Sequence, residues 1–342
     1  MKAIVLAGGF GTRLRPLTWE KPKHILEIMG KPLLQYILDY LRKHGITEIF
    51  LSISAGDEFD IVEEKFSDKD YVKIIREDER KGGAGAIKYA IEKSGVNETF
   101  ALVLGDNLTD MNLTEMIKLH KKEKPIVTLG LVRKENPWEY GVAVMEDTKI
   151  KKFVEKPKDF PPPSNLVATG IYIMEPEITK YIPEKFLDST GLLFPLILEK
   201  GGKICGYESN CNYWIDVGRR SSYLEALRQK IKGQRFIHNF ESADIHEPVW
   251  TKGDLTIGPH SQVWSPCELH ENVEIGQDCL IDNAIIFSDV KIGNNVKILN
   301  SIIDSNTIIE DNCEIRDCIV GKNAKITKGS KVEENVEMNS TV

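Results

Sequence analysis

Residues 275–309 read IGQDCLIDNAIIFSDVKIGNNVKILNSIIDSNTII, with aliphatic side chains at Ile275, Ile281, Ile286, Ile292, Ile298, Ile303 and Ile309. The series begins upstream at Ile257, Val263 and Leu269 and runs on through Ile315, Val320, Ile326 and Val332. Its steps are sixes broken by fives, and the fives end on Ile286, Ile303 and Val320, 17 residues apart. A helix repeats every 3.6 residues and a strand every 2, so neither produces this spacing. Three sides of 6, 6 and 5 residues close one 17-residue turn, the hexapeptide pattern of a parallel β-helix. Gly258, Gly276, Gly293 and Gly321 each directly follow an aliphatic position. Cys267, Cys279 and Cys313 fall four residues after one, where small side chains fit a corner. Cys279 and Cys313 are two turns apart; at a strand spacing of roughly 4.8 Å they stand about 10 Å from each other, beyond disulfide reach.

Upstream the period changes. Ala3–Ala7, Glu48–Ser54, Val72–Ile75, Phe100–Leu104 and Ile126–Leu131 are short apolar runs separated by amphipathic stretches. One such stretch has Pro32 near its start, Gly45 past its end, and Leu33, Leu34, Ile37, Leu38 and Leu41 on one helical face. Strand–helix–strand alternation predicts an α/β domain with a doubly wound, mostly parallel sheet. The expected division is 1–232 for this domain, 233–250 for a polar linker with neither period, and 251–342 for the repeats, which resemble the left-handed kind of β-helix. Ligands of such sheets bind beyond the carboxyl ends of the strands, so the chemistry is sought just after each strand.

Bulk properties narrow the class. A net charge of -7 argues against a nucleic-acid partner. No apolar run is long enough to span a bilayer, and Met1–Ala7 meets Gly8-Gly9 too early for a signal peptide. All six cysteines lie between Cys205 and Cys318 with no C-x-x-C pair, which predicts a disulfide-free cytoplasmic protein without zinc.

After the first strand comes Gly8-Gly9-Phe10-Gly11-Thr12-Arg13-Leu14-Arg15-Pro16-Leu17-Thr18. Glycines let the backbone approach phosphate, and Arg13 offers a planar charged fork. The P-loop pattern is absent, and Leu14 stands where a dinucleotide fingerprint needs its third glycine. With Glu20-Lys21-Pro22-Lys23 following, the pattern G-G-x-G-T-R-L-x-P-L-T…P-K resembles the signature of the nucleotide-sugar pyrophosphorylases, the sugar-1-phosphate nucleotidylyltransferases. Further matches occur in the family's order over the first 220 residues: Gly82-Gly83-Ala84-Gly85-Ala86, Leu104-Gly105-Asp106-Asn107, Phe153-Val154-Glu155-Lys156-Pro157 and Trp214-Ile215-Asp216-Val217-Gly218-Arg219.

The resemblance implies a Rossmann-like nucleotidyltransferase joining a nucleoside triphosphate to a hexose 1-phosphate with release of pyrophosphate. It gives Arg13 to the triphosphate, Lys23 to the α-phosphate, and Asp106 and Asp216 to a Mg²⁺ ion, which suits that ion's preference for one or two carboxylates. Leu6, Ala7, Gly8, Gly9, Gly11, Thr12 and Gly82 are expected around the nucleotide, with Glu77 reading the base edge. Glu77 can accept from guanine N1–H and N2–H₂ together, or from the single imino proton of uracil. Lys156 is given to the sugar phosphate and Glu155 to sugar hydroxyls, with Tyr140, Gly141, Thr169 and Gly170 shaping the pocket.

Beside these, Arg15, Lys21 and Lys31 read as solvated charges, His24 as a bystander, and Asp110 as part of the next helix start, where Asn112 and Glu115 form a capping arrangement. Segments 135–142, 169–178 and 194–201 look most like mannose-1-phosphate guanylyltransferases, which points to GTP and mannose 1-phosphate. Leu104-Gly105-Asp106-Asn107 instead resembles glucose-1-phosphate thymidylyl- and uridylyltransferases, and Ala168 stands where the mannose branch has Asn. Two other classes stay open: a β-helix acyltransferase, for which the repeats offer only His260 and His270, and a non-catalytic regulatory relative. An uncovered β-helix end would expose a sheet edge, which predicts a homo-oligomer.

Overall fold

The computed structural model describes residues 1–184, 187, 189–234, 236 and 243–342. By packing they form two units: Met1–Gly9 with Leu34–Asp216, and Phe10–Leu33 with Val217–Val342. The division expected at residue 232 follows sequence period; packing instead groups segment 10–33 and helix Arg220–Ile231 with the repeats.

The first unit is built on a nine-stranded sheet. Ala3, Ile4 and Val5 are consecutive and fully buried, as a strand covered on both faces requires. Strand Lys2–Leu6 lies between Glu48–Ile53 and Phe100–Leu104, with Val72–Arg76 outside, all parallel. The helix Leu33–Lys43 forms where its pattern places it, with Leu33, Leu34, Ile37, Leu38 and Leu41 at most 2% exposed.

The expectation of a mostly parallel sheet needs correction. Leu166–Met174 inserts antiparallel between Phe100–Leu104 and Val127–Arg133. Ile204–Glu208 is parallel to Val127–Arg133, and the hairpin Gly141–Glu146/Lys149–Glu155 continues antiparallel. Half of the sheet is thus mixed, because returning strands, rather than crossover helices, build it beyond Leu104.

In the second unit the 17-residue turn is realised directly. Ile275 pairs in parallel with Ile292, Ile292 with Ile309, and Ile309 with Ile326. Ile281–Ile298–Ile315–Val332 and Ile286–Ile303–Val320 stack on the other two sides. These aliphatics, with Cys267, Cys279, Cys313 and Cys318, make one core, and every cysteine of the chain is free. Corners are turned by Asn and Asp at positive φ, such as Asn295 (54°) and Asn312 (61°), residues that tolerate this region. Their amides stack one turn apart: Asn295 Nδ2 donates to Asn312 Oδ1 at 2.8 Å, and Asn283 Nδ2 to Asn300 Oδ1 at 2.8 Å.

Of the expected linker 233–250, residues 235 and 237–242 lie outside the described residues. Its later part already belongs to the repeats: Asp244–His246 and Val249–Thr251 both pair in parallel with Gln262–Leu269. The first turns take 18 residues, Ile245 pairing with Val263 and Val263 with Ile281. Among the described residues no helix is long and apolar enough to cross a membrane.

Candidate active site

Two acidic positions 110 residues apart in sequence come together in the first unit. After Leu104 the chain turns at Gly105-Asp106 and enters the short strand Asn107–Thr109, which pairs antiparallel with Trp214–Asp216. In that register Asp216 lies opposite Asn107, the neighbour of Asp106. Directly opposed antiparallel residues stand about 5 Å apart at Cα, so the backbone positions of Asp106 and Asp216 lie in one small region. The turn is tied to the end of the first strand, where Gly105 N–H donates to Leu6 O at 2.8 Å.

Asp110 fastens the returning strand: its carboxylate accepts from Asn212 Nδ2 at 2.6 Å and from Tyr213 N–H at 3.2 Å. That engagement, rather than helix entry, is its structural part; Asn112 caps the helix by accepting from Glu115 N–H at 3.2 Å. Asn107 is 4% exposed, donates to Asp106 Oδ1 at 3.3 Å, and buries an Oδ1 without a hydrogen-bond partner among the described residues. The side chains carried here, two carboxylates and an amide, are oxygen donors, the kind a hard divalent cation such as Mg²⁺ takes. Among the described residues there is no group of three or more His, Cys, Asp and Glu side chains that could hold a metal ion.

The same strands lead to the segments expected to hold a sugar. Trp214 Nε1 donates to Thr169 O at 2.9 Å, and the Tyr140 ring meets Trp214 edge-on at 5.2 Å. Thr169 is fully buried, its hydroxyl donating to Gly130 O at 2.9 Å, so it shapes the wall through a bulge rather than presenting its side chain. Gly170 takes φ +76°, and a Cβ there would come within 2.5 Å of Asn107 Nδ2.

Glu155 ends its strand opposite Gly141, and a Cβ on Gly141 would lie 2.7 Å from the Glu155 carboxylate. Ser189 Oγ donates to Glu155 Oε1 at 2.8 Å, while a Cβ on Gly191 would overlap that carboxylate. Lys156, at φ +46°, donates its N–H to Tyr140 O at 3.0 Å and is exposed, with no ion pair among the described residues.

The nucleotide segments of this unit form a second cluster. Gly8 lies against Ser54, whose hydroxyl donates to Gly8 O at 3.1 Å and stands 3.5 Å from Glu77 Oε2. Ala7 N–H donates to Ser52 O at 2.7 Å, and Gly9 is exposed beyond it. Glu77 is 5% exposed, and burial pushes its carboxyl above the usual range against the hydrogen bonds from Lys81 N–H and Ser54. Gly82, at φ +73°, opens the helix Gly82–Ser94 just beyond.

Gly11, Thr12, Arg13 and Lys23 belong to the second unit. Gly11 is left-handed at φ 67°, and a Cβ there would stand 2.9 Å from Lys23 Cβ, so the loop closes on Lys23 only with glycine. Thr18 Oγ1 donates to Gly11 O at 2.8 Å. Arg13 is exposed with no ion pair among the described residues, whereas Lys23 is 8% exposed and His24 1%. The reading of Arg15 and Lys21 as solvated is corrected: the Arg15 guanidinium stacks 3.7 Å over Trp19 and Lys21 Nζ lies 5.2 Å over Phe287. In the repeats, His270 is buried against Glu268 at 2.8 Å, in a structural rather than a catalytic setting.

Sequence reasoning missed Ser189, Gly191 and the fastening by Asp110. A signal existed for the first two, since Ser189-Thr190-Gly191 begins a helical stretch and Ser189 also accepts from Gly191 N–H at 3.2 Å.

The chain matches the family described as nucleotidyl transferase over residues 2–233, and the LbH domain of EIF2B subunit epsilon over residues 246–342. It is 32% identical over 331 residues to a UTP–glucose-1-phosphate uridylyltransferase of Synechocystis, covering 84% of this chain and 83% of that one. It is 28% identical over 295 residues to mannose-1-phosphate guanylyltransferase 1 of Arabidopsis thaliana, covering 84% and 80%. A crystal structure from Bacillus anthracis, assigned as a glucose-1-phosphate thymidylyltransferase and solved in complex with a sucrose, superposes with a TM-score of 0.61 at 26% identity. It covers 70% of this chain and 98% of that one.

Proposed function

The chain belongs to the nucleotidyl transferase family as a sugar-1-phosphate nucleotidyltransferase, and from that premise we propose that it converts GTP and mannose 1-phosphate to GDP-mannose and pyrophosphate. The observation that carries the chemistry is the pairing that sets Asp216 opposite Asn107 and beside Asp106. These carboxylates would hold Mg²⁺, which supplies neutralisation of phosphate charge when bound. Arg13 binds the triphosphate and stabilises departing pyrophosphate, Lys23 orients the α-phosphate, and Lys156 binds the sugar phosphate. An oxygen of the hexose 1-phosphate attacks the α-phosphorus in line while pyrophosphate leaves opposite. That oxygen is already ionised at neutral pH, so the residues align and neutralise rather than remove a proton. Glu155, held by Ser189 between Gly141 and Gly191, accepts from sugar hydroxyls.

The choice of guanine rests on Glu77, a carboxylate able to accept from two adjacent donors, and on relatives named for mannose-1-phosphate guanylyl transfer. A second reading, uridylyl or thymidylyl transfer to glucose 1-phosphate, is favoured by Asn107 beside Asp106 and by the Synechocystis relative. In the same reading the enzyme is a cytoplasmic homo-oligomer and its repeats wind left-handed. A grid of GTP, UTP, dTTP and ATP against mannose, glucose, galactose and N-acetylglucosamine 1-phosphates, scored by pyrophosphate release, decides the pair. Faster release with any pair other than GTP and mannose 1-phosphate refutes the assignment.

A further inference from the structure

The loop that carries Arg13 and Lys23 is gripped, between those two residues, by the last turns of the β-helix. Trp19 Nε1 donates to Glu337 Oε2 at 2.8 Å. Lys322 Nζ pairs with Glu20 Oε2 at 2.8 Å, and Asn335 Nδ2 donates to Arg15 O at 3.1 Å. Pro16 sits on Gly321 so closely that a Cβ there would be 2.9 Å from Pro16 Cγ. Beyond Lys23 the hairpin Glu27–Ile28/Lys31–Pro32 is held from the same unit: Tyr223 Oη donates to Glu27 O, and Gly30 packs on the Trp250 ring.

Each exposed link is weak alone. All the same, they converge on residues 15–20, which run from two residues after Arg13 to three before Lys23. Within the loop, Arg15 on Trp19 and Thr18 on Gly11 pass that restraint inward. A short loop fastened at its middle and closed on itself at Gly11 and Lys23 leaves the backbone that carries its two cations little freedom. Phosphate binding by an already ordered loop avoids the entropy of ordering it.

We propose that the terminal turns of the β-helix are a positioning element of the nucleotide site, with Lys322, Asn335 and Glu337 as its positioning residues. The inference rests on the reading that Arg13 and Lys23 bind the triphosphate. It makes the repeat domain a contributor to nucleotide affinity rather than an appendage.

The test uses the full chain carrying Lys322→Ala, Asn335→Ala and Glu337→Ala together, beside the single variants Glu337→Ala and Glu337→Gln. The triple variant is expected to raise KM for the nucleoside triphosphate about tenfold, and Glu337→Ala about two- to threefold, as befits exposed contacts. KM for hexose 1-phosphate stays within about twofold, because no contact to the sugar segments is touched. Glu337→Gln retains wild-type KM, since its amide oxygen still accepts the indole N–H. Amide hydrogen exchange over residues 12–22 quickens in the triple variant while the repeats stay protected.

An unchanged triphosphate KM, or both KM values rising together, overturns the proposal. A triple variant that fails to fold leaves the decision to Glu337→Ala against Glu337→Gln by the same KM ratio. Wild-type protein inactive with every substrate pair refutes the proposed function instead; calorimetric affinity for GTP and the exchange of residues 12–22 then judge the clamp by themselves.

Discussion

Replacing Ser189 by alanine removes the hydroxyl that anchors Glu155 Oε1 and that also accepts from Gly191 N–H at the start of the following turn. A hydrogen bond to a charged acceptor contributes about 1.5–3 kcal/mol when sheltered. Both residues are only half-buried here, which brings the figure to about 1–2 kcal/mol. If Glu155 grips sugar hydroxyls, that loss falls on the hexose phosphate, because its carboxylate must be ordered anew on each binding event. At about 1.4 kcal/mol per decade, KM for hexose 1-phosphate rises about 5- to 30-fold. KM for the triphosphate stays within about twofold. Pyrophosphate release, with each substrate varied against saturating partner, reads both. Ser189→Thr keeps a hydroxyl and restores most of the affinity. Gly191→Ala is harsher, since its Cβ would overlap the Glu155 carboxylate and displace it. Equal changes in the two KM values, or none in Ser189→Ala, would refute the idea that Ser189 works through Glu155 on the sugar.

Four further outcomes follow. Asp106→Asn or Asp216→Asn in a folded protein lowers kcat about 10³-fold if these carboxylates hold the cation, and calorimetric Mg²⁺ affinity falls with it; unchanged turnover removes the metal assignment. Gly170→Ala, forced to positive φ against Asn107 and Leu104, costs about 1–2 kcal/mol of backbone strain. Overpacking adds about 1–3 kcal/mol, seen as a lower thermal midpoint of the first unit. Burial raises the Glu77 pKa, so its proton is held more tightly folded than unfolded, and the ionised form destabilises the fold above the raised value. If Glu77 reads the base of GTP, affinity for that nucleotide weakens as pH falls through the raised value, and Glu77→Gln removes this dependence in a titration. Among thiols, half-buried Cys211 reacts first with a disulfide reagent in native protein; Cys267 and Cys318, pushed by burial up to about 12 and about 11, react only on unfolding.

The repeats were legible because stacking a turn on itself forces a period, and a period is visible in one sequence. Ile275, Ile292 and Ile309 were placed from spacing alone, and they pair as that spacing demands. What escaped was the opening of the stack, where Ile245 pairs with Val263 but Thr251, not an aliphatic residue, pairs with Leu269, and the Asn corners, whose positive φ leaves no hydrophobic trace. In the first unit the parallel strands up to Leu104 announced themselves as continuous apolar runs. Leu166–Met174 did not, because Thr169-Gly170 interrupts it with a bulge, and so the mixed half of the sheet went unseen. In the candidate site, motifs pointed to Asp106 and Asp216, and Asp216 pairs opposite Asn107, the neighbour of Asp106. The site was unreadable where a residue acts by holding another: Asp110 on Tyr213, Ser189 on Glu155 and Trp214 on Thr169 depend on folding across gaps that no local pattern records.

The in-register stacking of 17-residue turns also acts as a ruler. Inserting one whole turn would preserve every face and every Asn ladder, yet lengthen the stack by about 4.8 Å. Glu337 and Lys322 would then overshoot Trp19 and Glu20, which they now reach at 2.8 Å. The tally of rungs is thereby fixed from outside the stack, by the stretch of chain its tip must meet.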